Sequence, residues 1–202
     1  MKSEILHLLR HADGYVSGQQ LCETFGVSRT AVWKVINQLK EEGYVIDSVQ
    51  NKGYRITEYP DIITASEIES LLLDDSGNMQ GICRHIQYFD KTDSTNNQAK
   101  LAAEKNAPEG TLFVAECQTG GRGRRGKTWE SPAGSGIWMS LLLRPDISPE
   151  SASMLTLVLA VAMVDAINEE VQDAKCYVKW PNDIVLNNRK ISGTLTEMRS
   201  EE

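Results

Sequence analysis

The 202 residues carry 21 Lys+Arg against 28 Asp+Glu, a formal charge of −7, with 41% hydrophobic and 24% charged residues. That balance fits an ordinary globular chain of one large or two smaller domains and argues against a disordered tail, a fibrous repeat or a uniformly basic nucleic-acid coat. Cys22, Cys83, Cys117 and Cys176 lie far apart with no CxxC pair, which argues against zinc and disulfide frameworks and for small buried thiols in a reducing, cytoplasmic setting.

Along the chain, Met1-Lys2-Ser3-Glu4 opens directly into a helical pattern rather than a signal peptide. Ile5, Leu6, Leu8 and Leu9 form the apolar face of that first helix, which Asp13-Gly14 ends. Ser17 suits the N-cap of a second helix carrying Leu21, and Phe25-Gly26-Val27 makes a tight turn. Ser28 caps a third helix to about Glu42, with Val32, Val35, Ile36 and Leu39 inward and Gly43 as the stop. Two short helices around a glycine turn, from Gly18 to about Asn37, are a helix-turn-helix signature. Ser28, Arg29, Thr30, Trp33, Lys34 and Asn37 sit on the start or outer face of the third helix, where side chains reach phosphates and base edges in a major groove. Tyr44 to Val49 and Tyr54 to Ile56 flank Gln50-Asn51-Lys52-Gly53 as a β-hairpin wing, with Lys52 at its tip. Seven basic side chains balance seven acidic ones over residues 1–60, so a single copy is expected to bind DNA weakly and a dimer to supply the missing contacts.

Tyr59-Pro60-Asp61 marks a boundary between residues 1–60 and 61–202. Thr64 or Ser66 caps a helix through Leu73, a polar turn follows, and Ile82 to Asp90 reads as a strand. Asp93-Ser94-Thr95-Asn96-Asn97 then opens a helix with Ala99, Leu101, Ala102 and Ala103. Small hydroxyl and amide residues at a helix start usually cap it, yet the same groups can serve a small polar ligand. Gln118 has the same two readings.

Gly110 to Gln118 reads as a buried strand, and Gly120-Gly121-Arg122-Gly123-Arg124-Arg125-Gly126 follows it. Four glycines let the backbone approach a ligand, and three forked guanidinium groups suit phosphate or carboxylate. A solvated basic turn is the plainer alternative. Beyond Trp129, Ile137 to Leu143 is a strand, and Ser148-Pro149 starts a helix over about Glu150 to Val171. Its apolar residues run nearly all round from Leu155 to Val164, which predicts a helix packed deep in the domain. The run is too short to span a bilayer, so no membrane partner is expected. Cys176 to Trp180 is a short strand; Ile184 to Leu186 and Ile191 to Leu195 flank a hairpin turn at Asn187-Asn188-Arg189-Lys190. Lys190 at the hairpin base can face either a pocket or solvent.

Taken together, Ser94-Thr95-Asn96, Gln118, the Gly121–Gly126 block, Lys179-Trp180-Pro181-Asn182-Asp183 and Arg189-Lys190-Ile191-Ser192-Gly193 resemble the biotin–protein ligases in order and spacing. The winged helix in front resembles the bacterial bifunctional type, which also represses the biotin operon. The resemblance implies an α/β (α+β) chain: a winged helix-turn-helix, then a mixed-sheet biotin/lipoate ligase-type domain. It implies ATP, biotin and Mg2+ as reactants, and a biotin carboxyl carrier protein, operator DNA and an adenylate-bound homodimer as partners. By motif, Ser94, Thr95, Asn96, Gln118, Gly121, Arg122, Gly123, Arg124 and Lys190 would serve biotin. Arg122, Arg124, Arg125, Trp129, Asn182 and Asp183 would serve the nucleotide, Asp183 also as a magnesium-associated carboxylate, and Lys190, Arg122 and Arg124 would carry the catalysis.

The family's catalytic domain continues past Thr196-Glu197-Met198, so 61–202 is expected to be a partial domain with an exposed sheet edge and apolar surface. Two other readings are a lipoate-type acyl ligase and a biotin-sensing regulator without ligase activity.

Overall fold

The computed structural model describes residues 1–171 and 175–199. Three helices come first: α1 (Lys2–His11), α2 (Gly18–Phe25) and α3 (Arg29–Glu41). The Ser17 hydroxyl accepts from the Gln20 N–H and the Ser28 hydroxyl from the Ala31 N–H, so both later helices start on the expected caps. Ile5, Leu6, Leu21, Val32, Ile36 and Leu39 are sealed between them. Each such side chain contributes about 1.5–3 kcal/mol on leaving water, which is what makes so small a unit fold.

Strands β1 (Val45–Val49) and β2 (Gly53–Glu58) form the wing as an antiparallel pair. The sequence does not show the extra rung beside them: Val16, between α1 and α2, exchanges both backbone hydrogen bonds with Tyr54 at 2.9 Å. A Cβ at Gly53, whose φ is +114°, would lie 2.0 Å from the Val16 carbonyl oxygen. Only glycine allows this approach.

Helix α4 (Ala65–Leu72), capped by Thr64, lies beyond the boundary expected at residue 60 and packs on α1. Glu67 accepts from Arg10 at 2.5 Å and also from the Tyr44 hydroxyl.

A three-stranded sheet follows, in the order β3 (His85–Phe89), β4 (Thr111–Ala115), β5 (Trp138–Leu141). β3 and β4 are parallel and β5 is antiparallel, so the sheet is mixed. All five residues of β4 are buried, as expected of a central strand, and α5 (Thr95–Ala103) is the crossover between β3 and β4. A second, antiparallel sheet consists of β6 (Tyr177–Lys179), β7 (Asp183–Leu186) and β8 (Arg189–Gly193). Asn187 and Asn188, at φ +49° and +59°, make a two-residue turn. Arg189 and Lys190 therefore belong to β8, not to the turn in which the sequence pattern placed them.

Helix α6 (Met154–Glu170) corrects a sequence expectation. Pro149–Ser153 forms a 3-10 turn instead of the first helical turn, and the Ser148 hydroxyl caps nothing. More importantly, α6 is not packed deep: Ala160 is its one buried residue, whereas Met154, Val158, Leu159 and Val161 are exposed. Its packing against the sheets is with β6 and β7, and the Asn168 side chain clasps both backbone groups of Cys176 at 2.8 and 3.2 Å. An all-round apolar helix needs partners on every side, and the described residues cover one side only. The helical stretch Pro149–Glu170, 22 residues whose most apolar 18 have a mean hydropathy of 1.7, is also long and apolar enough to cross a membrane by length and composition. The uninterrupted apolar run alone understated its length. Of the four thiols, Cys176 is buried and the other three are half-buried. The chain end at 200–202 lies outside the described residues.

Candidate ligase site and nucleic-acid interface

The arginine–glycine block is a pinned hairpin rather than a loose loop. The Trp129 N–H donates to the Gly121 carbonyl at 2.8 Å, and the Gly123 N–H donates to the Lys127 carbonyl at 2.7 Å. The Gly120 N–H reaches the Asp93 carbonyl at 2.7 Å, tying the hairpin to the start of α5. Gly121 is buried, and a Cβ there would lie 2.3 Å from the Trp129 carbonyl oxygen and 2.7 Å from the Ser131 hydroxyl. A Cβ at Gly123 would meet only ordinary contacts. At the tip Arg125 adopts φ +59° and is exposed. Arg122 donates to the Asn97 side-chain oxygen, and Arg124 donates to Asn182 Oδ1 at 3.1 Å.

Below the hairpin, the start of α5 departs from ordinary capping. Ser94 sits at the N-cap, 4% exposed, but its hydroxyl caps nothing. The Asp93 carboxylate takes the Ser94 N–H at 2.7 Å, and Gln118, from beyond β4, takes the Thr95 N–H at 2.8 Å. The Thr95 hydroxyl donates to Gln118 Oε1 at 3.1 Å and lies 2.7 Å from Ser140 Oγ. The Ser140 hydroxyl donates to Asn96 Oδ1, and Gln118 Nε2 donates to the Ser131 hydroxyl at 3.0 Å. Thr95, Asn96 and Gln118 are thus brought together with Ser140 and Ser131, two residues the sequence reading missed. An exposed-versus-buried alternation of β5 offers no signal that singles out Ser140.

Asp93 organises this corner. Hydrogen bonds led by the Asn97 amide, with Ser94, Gln98 and Thr92 adding to it, outweigh burial and hold its carboxyl down to about 2. Glu197 was also missed. It accepts from Asn96 Nδ2 at 2.9 Å and pairs with Lys100 at 2.5 Å. Burial pushes its carboxyl up, but those hydrogen bonds and the charges of Lys100 and Arg122 prevail, leaving it below the usual range.

On the other side of the hairpin, Lys190 is exposed but is held by two neighbours. Its Nζ lies 2.6 Å from Asp183 Oδ1 and 4.8 Å from the centroid of the half-buried Trp129 ring. Asn182 connects the two sides, accepting from Arg124 and donating to the Thr194 carbonyl at 2.9 Å. The predicted residues therefore fall into two polar groups flanking one arginine hairpin. Two surface cavities of about 250 and 330 Å3, lined in part by Met1 and Arg84 and by Glu42 and Tyr88, lie elsewhere and hold none of these residues.

At the other end of the molecule Ser28, Arg29, Thr30, Trp33 and Lys34 are exposed, Trp33 by 57%, while Asn37 is half-buried. Lys52 is exposed on the wing, its Nζ 5.9 Å from the Tyr15 ring centroid, with Arg55 at 5.0 Å from the same ring.

Comparison with known proteins places both ends. Residues 88–202 match the biotin/lipoate A/B protein ligase family, and residues 2–55 match an HTH domain. The bifunctional ligase/repressor BirA of Bacillus subtilis (strain 168) is 43% identical over 203 aligned residues, covering 100% of this chain and 61% of that protein. The protein of the same name in Escherichia coli (strain K12) is 35% identical, over 96% of this chain and 57% of that one. The chain thus spans about 60% of the length of these curated relatives. A solved biotin protein ligase from Aquifex aeolicus, in complex with biotin and ATP, superposes with a TM-score of 0.50 and 36% identity, over 56% of this chain and 47% of that one. With its ligase-family match covering more than half its length, the chain belongs to the biotin/lipoate A/B protein ligase family, with a helix-turn-helix domain ahead of the ligase part.

Proposed function

We propose that this chain is the DNA-binding and active-site portion of an ATP-dependent biotin–protein ligase that also represses biotin synthesis genes. Residues 1–60 are the DNA-binding unit and 61–202 the catalytic unit. The observation that carries the reading is the arginine hairpin held between a neutral hydroxyl–amide group and a lysine over an indole. Biotin has the matching parts: a neutral ureido ring at one end and a carboxylate at the other.

Ser94, Thr95, Asn96 and Gln118 take the ureido ring, and Gly121 and Gly123 let the backbone close on the ligand. Lys190, on a flexible stem, leaves Asp183 to meet the biotin carboxylate. Trp129 takes the adenine face, with Arg125 and Asn182 on the nucleotide. The carboxylate oxygen attacks the α-phosphorus of ATP; that P–O bond forms as the bond to pyrophosphate breaks. Two anions must meet, and Arg122, Arg124 and Lys190 offset their repulsion and the charge that develops. In the second step a carrier-protein lysine amine attacks the acyl carbon and AMP leaves, so no Ser or Cys nucleophile is needed.

For Mg2+ the described residues do not make a protein-held site. Asp183 is a single carboxylate already paired with Lys190, and no group of three potential ligands gathers there. No step is assigned to the ion. At the front, Ser28, Arg29, Thr30, Trp33, Lys34, Asn37 and Lys52 contact operator DNA. The even charge of this unit favours a dimer as the binding form. ATP, carrier protein and operator DNA place the protein in the cytoplasm.

Pyrophosphate release tests the reading, on this chain and on one extended to the relatives' length, with ATP and either biotin or lipoate. Release with biotin and none with lipoate is expected. No release from the extended chain with biotin would overturn the ligase assignment, and release with lipoate alone would reassign the substrate.

A further inference from the structure

The side chains at the start of α5 hold a proton shortage. Three oxygen contacts run in series: Gln118 Oε1 to Thr95 Oγ1 at 3.1 Å, Thr95 Oγ1 to Ser140 Oγ at 2.7 Å, and Ser140 Oγ to Asn96 Oδ1. Two hydroxyls own two protons, so one of the three contacts has none. The shortage exists only while both end amides present oxygen, since an NH2 at either end would supply the third proton.

The Gln118 end is fixed locally. The Thr95 N–H demands an oxygen there, and the Ser131 hydroxyl accepts from Gln118 Nε2 at 3.0 Å. The Asn96 end is fixed from the far end of the chain. Asn96 Nδ2 donates to Glu197 Oε2 at 2.9 Å and to the Leu195 carbonyl at 3.4 Å. A carboxylate only accepts, so Asn96 must turn its NH2 to Glu197 and its oxygen to Ser140. Lys100, at 2.5 Å from Glu197 Oε1, keeps that carboxylate charged.

We propose that Glu197 is a positioning residue that makes the ligand pocket donor-hungry and so selects a ligand bearing N–H groups. With both amide oxygens turned inward, the two hydroxyl protons must serve all three contacts. Thr95 Oγ1 and Ser140 Oγ, 2.7 Å apart with either able to donate, share the shortfall and keep an unfilled acceptor position between them and the two amide oxygens. A ligand N–H arriving at these hydroxyls supplies the one missing donor. A ureido ring has two such donors; a dithiolane ring has none, so Glu197 discriminates biotin from lipoate without touching either. This inference rests on the biotin reading of the pocket.

Two measurements on the full chain decide it. In the ligand-free protein, Glu197→Gln should move the side-chain amide resonances of Asn96 and the backbone amide resonance of Thr95, because a carboxamide no longer dictates the Asn96 orientation. In titrations, Glu197→Gln should weaken biotin binding by about tenfold, the scale of one hydrogen bond in a buried site, and leave ATP binding unchanged. Asn96→Asp in the Glu197→Gln background restores a fixed acceptor opposite Ser140 and should recover affinity to within about twofold. Unmoved resonances, unchanged biotin affinity or failure of that rescue would each overturn the proposal. If the wild-type chain takes up no biotin, the pocket reading falls, and the resonances alone still decide whether Glu197 sets Asn96.

Discussion

The Lys190 ammonium faces Asp183 across β7 and β8 at 2.6 Å, and Gly193 is what gives the pair room: a Cβ there would lie 2.9 Å from Lys190 Nζ and 3.4 Å from Asp183 Oδ1. The pair is 38% and 25% exposed, so it contributes about 1 kcal/mol or less to stability. Its value is positional. Lys190→Met should lower adenylate formation by about a hundredfold or more, the effect of losing one charge-stabilising group, and shift unfolding by no more than about 1 kcal/mol. Pyrophosphate release and thermal melts of the same preparation check this; near-normal release would remove Lys190 from the site.

The hairpin makes a separate prediction. Gly121→Ala puts a methyl 2.3 Å from the Trp129 carbonyl, which is backbone and cannot step aside. The Gly121–Trp129 pairing should open, costing about 1–3 kcal/mol as in other overpacked sites. Gly123→Ala, with its nearest neighbour at 3.6 Å, should cost well under half of that. Hydrogen exchange at the Trp129 amide reads the difference directly. Equal protection in both variants would mean that the hairpin is not held by this contact.

How far the sequence discloses these features follows from range. The winged unit was legible because its signals are local: Ser17 and Ser28 cap, Leu21 and Leu39 keep helical period, and Gly26 adopts the left-handed turn at φ +64°. The Val16–Tyr54 rung was not, since nothing in either segment announces the other. In the site, Ser94-Thr95-Asn96 and the arginine–glycine block stand out by composition. Ser140 and Glu197 do not, because an isolated Ser or Glu acquires meaning only when the fold brings it 44 or more residues across the sequence to Asn96. Helix α6 was misjudged for the opposite reason: apolar residues on every side report a demand for burial, not that the described residues meet it.

DNA binding by α3 should be weak and salt-sensitive. Arg29 and Lys34 are exposed basic groups on a unit with no net charge, so each phosphate contact is a large share of the total. Arg29→Ala and Lys34→Ala should each weaken binding to operator DNA, reduce the slope of log affinity against log salt by about 1, and leave biotin binding untouched. Fluorescence anisotropy over a salt series provides the measurement. An unchanged slope in both variants would put the DNA contact elsewhere.

Acid should loosen the start of α5 before the rest. Asp93 titrates at about 2 in the folded chain against an ordinary 3.8, mainly because Asn97 and its neighbours donate to the ionised form. A depressed carboxyl contributes stability that is fully present above about pH 4 and is lost as pH falls through about 2. Amide signals of Ser94, Asn97 and Gln98 should therefore shift together in that window. Asp93→Asn, which cannot ionise, should abolish the transition there; its persistence would assign it to another carboxyl.

The exposed side of α6 gives the last test. Val158 is 62% exposed and Ala160, two residues on, is fully buried, so the two positions should answer a charge in opposite ways. Val158→Lys should change stability by no more than about 0.5 kcal/mol and reduce self-association of the chain by breaking an open apolar patch. Ala160→Asp should destabilise by several-fold more, since it puts a carboxylate at a fully buried position. Denaturant melts and light scattering on the two variants separate the outcomes. A Val158→Lys variant as unstable as Ala160→Asp would mean that this side of the helix is covered in solution.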